Sequence, residues 1–543
     1  MSNRHWIASY GTQIPAEIDA DAYPSLVQMM DAAIARYRGR SALRSLGNTL
    51  SYGEFDARAR AFAAFLQQRL GVRKGDRIAV MLPNVLAFPI ALLGIARAGA
   101  VQVNVNPLYT PRELQHQLDD AGVEVMVVFN GSTPTLAEII GETGLKTVIT
   151  ASLGDGGATA LPSPPVDARL AGTLSFADAL SQGSDLPFAP VDINGDDLLL
   201  LQYTGGTTGL SKGAALSHRN LVANTEQFKA FMPMREGEEV IVTALPLYHI
   251  FALTVNFITM FSVGAENWLV ANPRDGDGLV DTLKQARPTV FTGVNTLYAG
   301  LTMHPRIDEV DWSRLHLAVG GGAAVIDATS AKWKQITGTF IREGYGLSET
   351  SPVLSFNPAH AGEFSGTTGL PLPSTDIKLL DERDCEAAIG AAGEICVRGP
   401  QVMRGYWNQP EANAEAFTAD GYFRTGDIGM FDERGLLKIV DRKKDMIIVS
   451  GFNVYPNEVE AVATACPGVA ECACVGVPDD KTGEAVKLFV VKAPVATLCA
   501  DEIVAHCRAT MAGYKVPRIV RFVDSLPKSN VGKILRRELR DQT

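Results

Sequence analysis

Residues 203–214 read YTGGTTGLSKGA. Gly205, Gly206 and Gly209 let backbone N–H groups approach phosphate oxygens closely. Thr204, Thr207, Thr208 and Ser211 add hydroxyl donors, and Lys212 adds a positive charge. The apolar run DDLLLLQYT (196–204) predicts a buried strand delivering this loop, and SHRNLVANTEQFKAFM (217–232) predicts a helix following it. A P-loop needs Ser or Thr directly after its lysine to hold Mg²⁺, but Gly213 follows Lys212. The G-x-G-x-x-G dinucleotide pattern is also absent. The stretch reads as a phosphate cradle of a third kind.

Working outward, strands alternate with helices. YGEFDARARAFAAFLQQRL (52–70) and VLAFPIALLGIARAGA (85–100) read as helices, the second a buried one. RIAVMLPN (77–84) and VEVMVVFN (123–130) read as strands. This pattern predicts an α/β domain with a largely parallel sheet. Residues 154–190, rich in Gly, Ala, Ser and Pro, read as a surface excursion. The texture changes near residue 440. Strand-like ECACVGV, EAVKLFVVKA and RIVRFVDSL mix with helical patterns beginning near Pro456, at DEIVAHCRATM, and in a final helix, KILRRELR, headed by Lys533. That is a small α+β domain of ordinary size. The charged DRKK (441–444) between the two textures is the hinge candidate.

Composition narrows the function. The 543 residues exceed one ordinary core, and the net charge of −11 argues against a general nucleic-acid binder. The N-terminus lacks the apolar core of a signal peptide, and the seven cysteines show no paired zinc spacing, so reduced thiols in the cytoplasm are expected. The uncharged run 242–265 is long enough for a membrane span. Pro246, His249, Asn256 and three threonines interrupt it, so it reads as a buried helix lining an apolar pocket.

At this point the motifs resemble those of the adenylate-forming enzymes: acyl-CoA synthetases, luciferases and peptide-synthetase adenylation domains. YTGGTTGLSKGA is similar to their phosphate loop, LPLYHIFAL (245–253) to their aromatic-His segment and GYGLSETSPV (344–353) to their adenine and metal motif. YFRTGDIG (422–429) resembles the ribose motif, DRKKDMIIVSGFNVYPNEVE (441–460) the hinge, and PKSNVGKILRREL (527–539) the terminal lysine motif. The resemblance implies a large ATP- and acyl-binding domain (1–440), a hinge (441–445) and a mobile lid (446–543). It implies that Thr204, Gly205, Gly206, Thr207, Thr208, Gly209 and Lys212 hold the departing phosphates. Glu349 is the implied Mg²⁺ ligand, with the Thr204 hydroxyl as a second. Tyr345 stacks on adenine, and Gly322, Ala323, Glu343, Gly344, Gly346 and Ser348 line the nucleotide; Ser348 stands where the family often has threonine. Asp427, which alone would read as a cap or turn aspartate, is implied to bind ribose. Arg442 and Lys444 sit beside the nucleotide, Gly451 and Phe452 face the CoA arm, and His249 positions the carboxylate. Lys533, by itself an ordinary surface lysine, is implied to be the mobile catalytic cation.

The implied cofactors are ATP, Mg²⁺ and CoA as co-substrate. CoA is expected over a carrier-protein thiol because no carrier domain follows residue 543. The greasy run 242–265 and the small residues of GGGAA (320–324) favour a fatty acid, and the chain resembles bacterial long-chain fatty-acid–CoA ligases most. Medium-chain or aryl acids are the alternative, then a non-catalytic nucleotide-binding homologue. Oligomeric state, including a homodimer, and peripheral membrane contact stay open.

Overall fold

The computed structural model describes residues 4–204, 211–232, 234–479, 481–494, 496–529, 532–540 and 542. The chain divides into two compact units. The larger comprises Ile7–Asp376 and Arg398–Gly421; the smaller comprises the N-terminus through Trp6, Ile377–Val397 and the chain from Tyr422 onward.

Two sheets organise the described part of the larger unit. The first runs Leu174–Ser175, Thr147–Ala151, Val125–Phe129, Arg77–Met81, Val101–Asn104, Leu198–Thr204 and Lys212–Ser217 in spatial order. Its pairs are parallel except the last, where Leu198–Thr204 and Lys212–Ser217 are antiparallel. The second sheet has a parallel centre, formed by Leu317–Gly320, Val290–Gly293, Val240–Thr243 and Glu266–Leu269. Ile341–Gly346 extends it in parallel and is followed by antiparallel Val353–Phe356. Parallel strands must be covered on both faces, which explains helix Ala87–Arg97, buried at every residue, packed against helix Tyr52–Gln68.

The helix expected after the phosphate loop is His218–Phe231, with Ser217 and Asn220 forming a reciprocal capping box, and strand Lys212–Ser217, which was not expected, precedes it. Two other expectations are corrected by the structure. The excursion at 154–190 contains helix Phe176–Ser184, whose Phe176 and Ala179 are buried. The uncharged run 242–265 is split between the end of strand Val240–Thr243 and a buried helical stretch with π-helical turns over Ala252–Thr259 continued by Met260–Ser262. Among the described residues, no helix is long and apolar enough to cross a membrane.

The smaller unit contains an antiparallel sheet with Gly393–Arg398, Phe423–Phe431 and Leu437–Arg442. A second sheet is built on the long hairpin Val469–Asp479 and Gly483–Lys492, joined by Ile519–Phe522 and the short hairpin Ile447–Val449 with Phe452–Val454. Helices Pro456–Thr464 and Ala500–Thr510 close a core in which Cys466, Cys472, Cys474 and Cys507 pack as small apolar side chains. Burial pushes the Cys472 thiol up to about 12. The final helix is shorter than expected, Arg536–Arg540, and Lys533 precedes it. An antiparallel bridge pairs Lys528 with Ile534 ahead of that helix.

Candidate active site

Strands Leu198–Thr204 and Lys212–Ser217 bring the two ends of the glycine loop together, with Thr204 paired opposite Lys212. The expected phosphate contacts Gly205, Gly206, Thr207, Thr208 and Gly209 lie outside the described residues. The half-buried Thr204 donates its hydroxyl to the Lys212 carbonyl at 3.4 Å. Strand Leu198–Thr204 also packs against the short turn Ser348–Thr350, which carries Ser348 and Glu349.

That turn is pinned from several sides. The Thr350 hydroxyl accepts from the Leu347 N–H at 3.0 Å, and Leu347 N–H also reaches the Pro352 carbonyl at 3.2 Å. The Thr254 hydroxyl donates to the Ser351 carbonyl at 2.8 Å, and the Asn224 amide clasps the backbone of Val353 at 2.8 and 3.0 Å. Gly346 is required: a Cβ there would lie 1.9 Å from the Pro352 carbonyl oxygen. Glu349 is buried, and its carboxylate accepts from the Tyr406 hydroxyl at 2.8 Å. Tyr406 arrives because residues 404–407 run beside strand Lys212–Ser217: Trp407 N–H donates to the Gly213 carbonyl at 2.8 Å and Ala215 N–H to the Gly405 carbonyl at 3.0 Å. The Lys212 ammonium lies 5.3 Å from the centroid of the Tyr406 ring. Sequence reasoning missed Tyr406. It stands in a polar loop, RGYWNQPEA, 57 residues from its acceptor, with no periodicity to reveal it.

Strand Ile341–Gly346 holds Glu343, Gly344 and Tyr345, with Tyr345 half-buried. Its neighbour Leu317–Gly320 leads into the exposed loop of Gly322 and Ala323. Glu343 ties the two together by accepting the Val325 N–H at 2.8 Å; burial pushes its carboxyl up to about 7. A Cβ on Gly321 would meet the Phe251 ring at 3.0 Å, so the aromatic-His segment borders this loop. His249 Nδ1 accepts the Phe251 N–H at 3.3 Å, which puts the proton of a neutral ring on Nε2. The segment leading to His249 is held by Asn84, which donates to the carbonyls of Thr243 and Leu245 at 3.0 and 2.9 Å, and by Gln202, which donates to that of Tyr248 at 3.2 Å.

The remaining predicted residues lie in the smaller unit. Asp427 sits in strand Phe423–Phe431 opposite Arg442, with Arg442 Nε 3.4 Å from its carboxylate. Lys444 is lowered to about 8, first by burial and then by the Arg442 charge, against the pull of Asp445 and Asp427. Gly451, at φ +81°, turns the hairpin before Phe452, which is 57% exposed and stacks on Tyr514 with centroids 4.9 Å apart. Lys533 lies on a tight turn. Gly532 adopts φ +76°, which favours glycine, and Lys533 N–H donates to the Ser529 hydroxyl at 3.1 Å while its carbonyl accepts from Ser529 N–H at 2.7 Å.

A family model described as AMP-binding enzyme matches residues 30–407, and one described as AMP-binding enzyme C-terminal domain matches residues 458–533. The chain belongs to the AMP-binding enzyme family. It is similar to the long-chain-fatty-acid–CoA ligase of Escherichia coli O157:H7, 48% identical over 550 residues that cover 99% of this chain and 98% of that protein. Among solved structures it resembles ATP-bound MatB from Rhodopseudomonas palustris, with a TM-score of 0.84, 32% identity and coverage of 95% of this chain and 98% of that one. It also resembles the anthranilate CoA ligase AuaEII in complex with anthranoyl-AMP, with a TM-score of 0.87, 26% identity and coverage of 97% and 99%.

Proposed function

We propose that this protein is an AMP-forming acid–thiol ligase that activates a long-chain fatty acid and transfers it to CoA. The carrying observation is full-length likeness, 48% identical, to a ligase named for that substrate. In the first half-reaction a carboxylate oxygen of the fatty acid attacks the α-phosphate of ATP. The bond between the α-phosphate and its bridging oxygen breaks, and pyrophosphate leaves. In the second, the CoA sulfur attacks the acyl carbon, the thiol proton is released and AMP departs.

The loop 204–212 holds the departing phosphates, with Lys212 as their charge support. A buried carboxylate on a turn packed against the strand that ends at Thr204 is a donor set that suits Mg²⁺, which takes few protein ligands and completes its shell with phosphate and water oxygens. Glu349 would hold it, with the Thr204 hydroxyl as a second contact. When bound, the ion supplies positive charge to the phosphate oxygens. Tyr345 stacks on adenine beside the backbone of Gly322 and Ala323, Glu343, Gly344, Gly346 and Ser348 complete that wall, and Asp427 accepts from the ribose hydroxyls. His249 is a positioning residue for the acyl carboxylate. Lys533 brings the cation that steadies charge as adenylate forms. Residues 441–445 act as a hinge between a body, 1–440, and a lid, 446–543. Arg442 and Lys444 face the nucleotide, and Gly451 and Phe452 face the thiol arm. The buried free thiols support a reducing, cytoplasmic setting.

The test is CoA-dependent AMP release across alkyl acids of rising length and aromatic acids. kcat/KM is expected to rise by up to about fourfold per added methylene, about 0.8 kcal/mol each, through the long chains. A preference for aromatic acids would overturn the substrate assignment. No acid-dependent ATP–pyrophosphate exchange with any acid would overturn the enzymatic one.

A further inference from the structure

We propose that Tyr406 is the positioning residue of the metal-binding carboxylate and couples it to the lysine at the foot of the phosphate loop. This rests on the reading of Glu349 as the magnesium ligand. The phenol donates to Glu349 Oε1 at 2.8 Å, and the Lys212 ammonium lies over its ring, 5.3 Å from the centroid. One side chain therefore touches both charged groups assigned to the phosphates.

The tyrosine is itself held from both sides. The Asn413 side chain accepts the Tyr406 N–H at 2.6 Å and donates to the Tyr406 carbonyl at 2.9 Å. The next residue, Trp407, donates its N–H to the Gly213 carbonyl in the strand that leaves the phosphate loop. The Glu349 backbone is fixed to the same segment, because its carbonyl accepts the Met403 N–H at 2.8 Å. Residues 403–407 thus hold Glu349 by main chain and side chain at once. The phenol has one O–H, and Glu349 is the acceptor it reaches. A neutral donor on a ligand carboxylate fixes its rotation while keeping its negative charge. Losing such an outer partner typically weakens metal affinity about 10-fold or more.

The experiment titrates Mn²⁺, standing in for Mg²⁺, into protein with saturating ATP and no acid, and follows the electron paramagnetic resonance signal of the free ion. Wild type, Tyr406→Phe, Asn413→Ala and Glu349→Gln are compared. Tyr406→Phe is expected to weaken Mn²⁺ binding in the nucleotide complex about 10-fold. Asn413→Ala, which loosens the clasp without altering the ring, shifts it the same way by less. Affinity for ATP in chelator, without metal, should match wild type in both, which a merely structural defect would not spare. Glu349→Gln should weaken Mn²⁺ binding most. If Glu349→Gln weakens binding while Tyr406→Phe and Asn413→Ala bind as wild type, the positioning role is wrong and the Glu349 assignment survives. If Glu349→Gln binds Mn²⁺ as wild type, the ligand assignment itself falls. Loss of metal-free ATP affinity in Tyr406→Phe also overturns the positioning role.

Discussion

Lys533 shows how much a single residue owes to its neighbours. A lysine ten residues from the end of a 543-residue chain is ordinarily a surface charge, and only PKSNVGK marks it as more. The structure puts it on a stapled turn rather than on the final helix: Gly532 adopts φ +76°, Lys528 bridges Ile534, and the helix begins only at Arg536. Lys533→Ala is expected to lower adenylation about 10²–10³-fold, the scale of losing one charge stabiliser. Thioester formation from preformed acyl-adenylate should be largely spared. Measuring the half-reactions separately checks this, and an equal fall in both would remove the cation role. Glu349, Asp427 and Lys533 could be proposed from the sequence because each stands inside a short motif that resembles one of the family's. Tyr406 was not. Its partner becomes a neighbour only when residues 404–407 pair beside strand Lys212–Ser217, and side-chain periodicity carries no trace of that pairing.

The same distinction holds for the elements. Strands such as Arg77–Met81 and Val125–Phe129 are apolar runs of the kind a parallel sheet requires, and they were readable as such. Strand Lys212–Ser217, KGAALS, has no β-branched or aromatic residue, so local preference does not announce it. Tertiary pairing with Leu198–Thr204 makes it a strand. The stretch Ala252–Thr259 is the converse case. Its burial was expected, but not its wide π turns, which run beside polar groups from neighbouring strands. The Asn256 amide donates to the Thr292 hydroxyl at 2.7 Å, the Thr292 hydroxyl donates to Asn256 Oδ1 at 2.9 Å, and the Asn267 amide donates to the Asn256 backbone carbonyl at 2.8 Å. Asn256, Thr292 and Asn267 are all buried, so a lost partner is not replaced cheaply by solvent. Asn256→Ala is expected to destabilise the larger unit by about 2–3 kcal/mol, the cost of a buried partner left unsatisfied. Urea denaturation measures it. An unchanged midpoint would mean that the network contributes little to stability.

At the scale of the molecule, two compact units predict two unfolding steps. The smaller unit offers a way to move one alone. Arg536, the first residue of the last helix, donates to both Glu460 oxygens at 2.8 Å and to Asn457 Oδ1 at 2.7 Å, and lies 3.5 Å from Asp445. Arg540 holds the other Asp445 oxygen at 2.8 Å, and Asn457 N–H donates to Asp441 at 2.8 Å. The network therefore joins the last helix, just after Lys533, to helix Pro456–Thr464 and to the proposed hinge residues. Burial raises the Glu460 carboxyl, and the Arg536 charge opposes that rise. Removing only the cation leaves buried carboxylates uncompensated, which costs about 3–5 kcal/mol, whereas replacing both partners by apolar groups is often neutral. Arg536→Met should therefore bring the smaller unit's transition to markedly lower urea and leave the other in place, and Arg536→Met with Glu460→Leu should recover part of the loss. A single transition that moves as a whole would show that the two units unfold as one cooperative body. Failure of the double variant to recover would show that Asp441 and Asp445, rather than Glu460, hold most of the uncompensated charge.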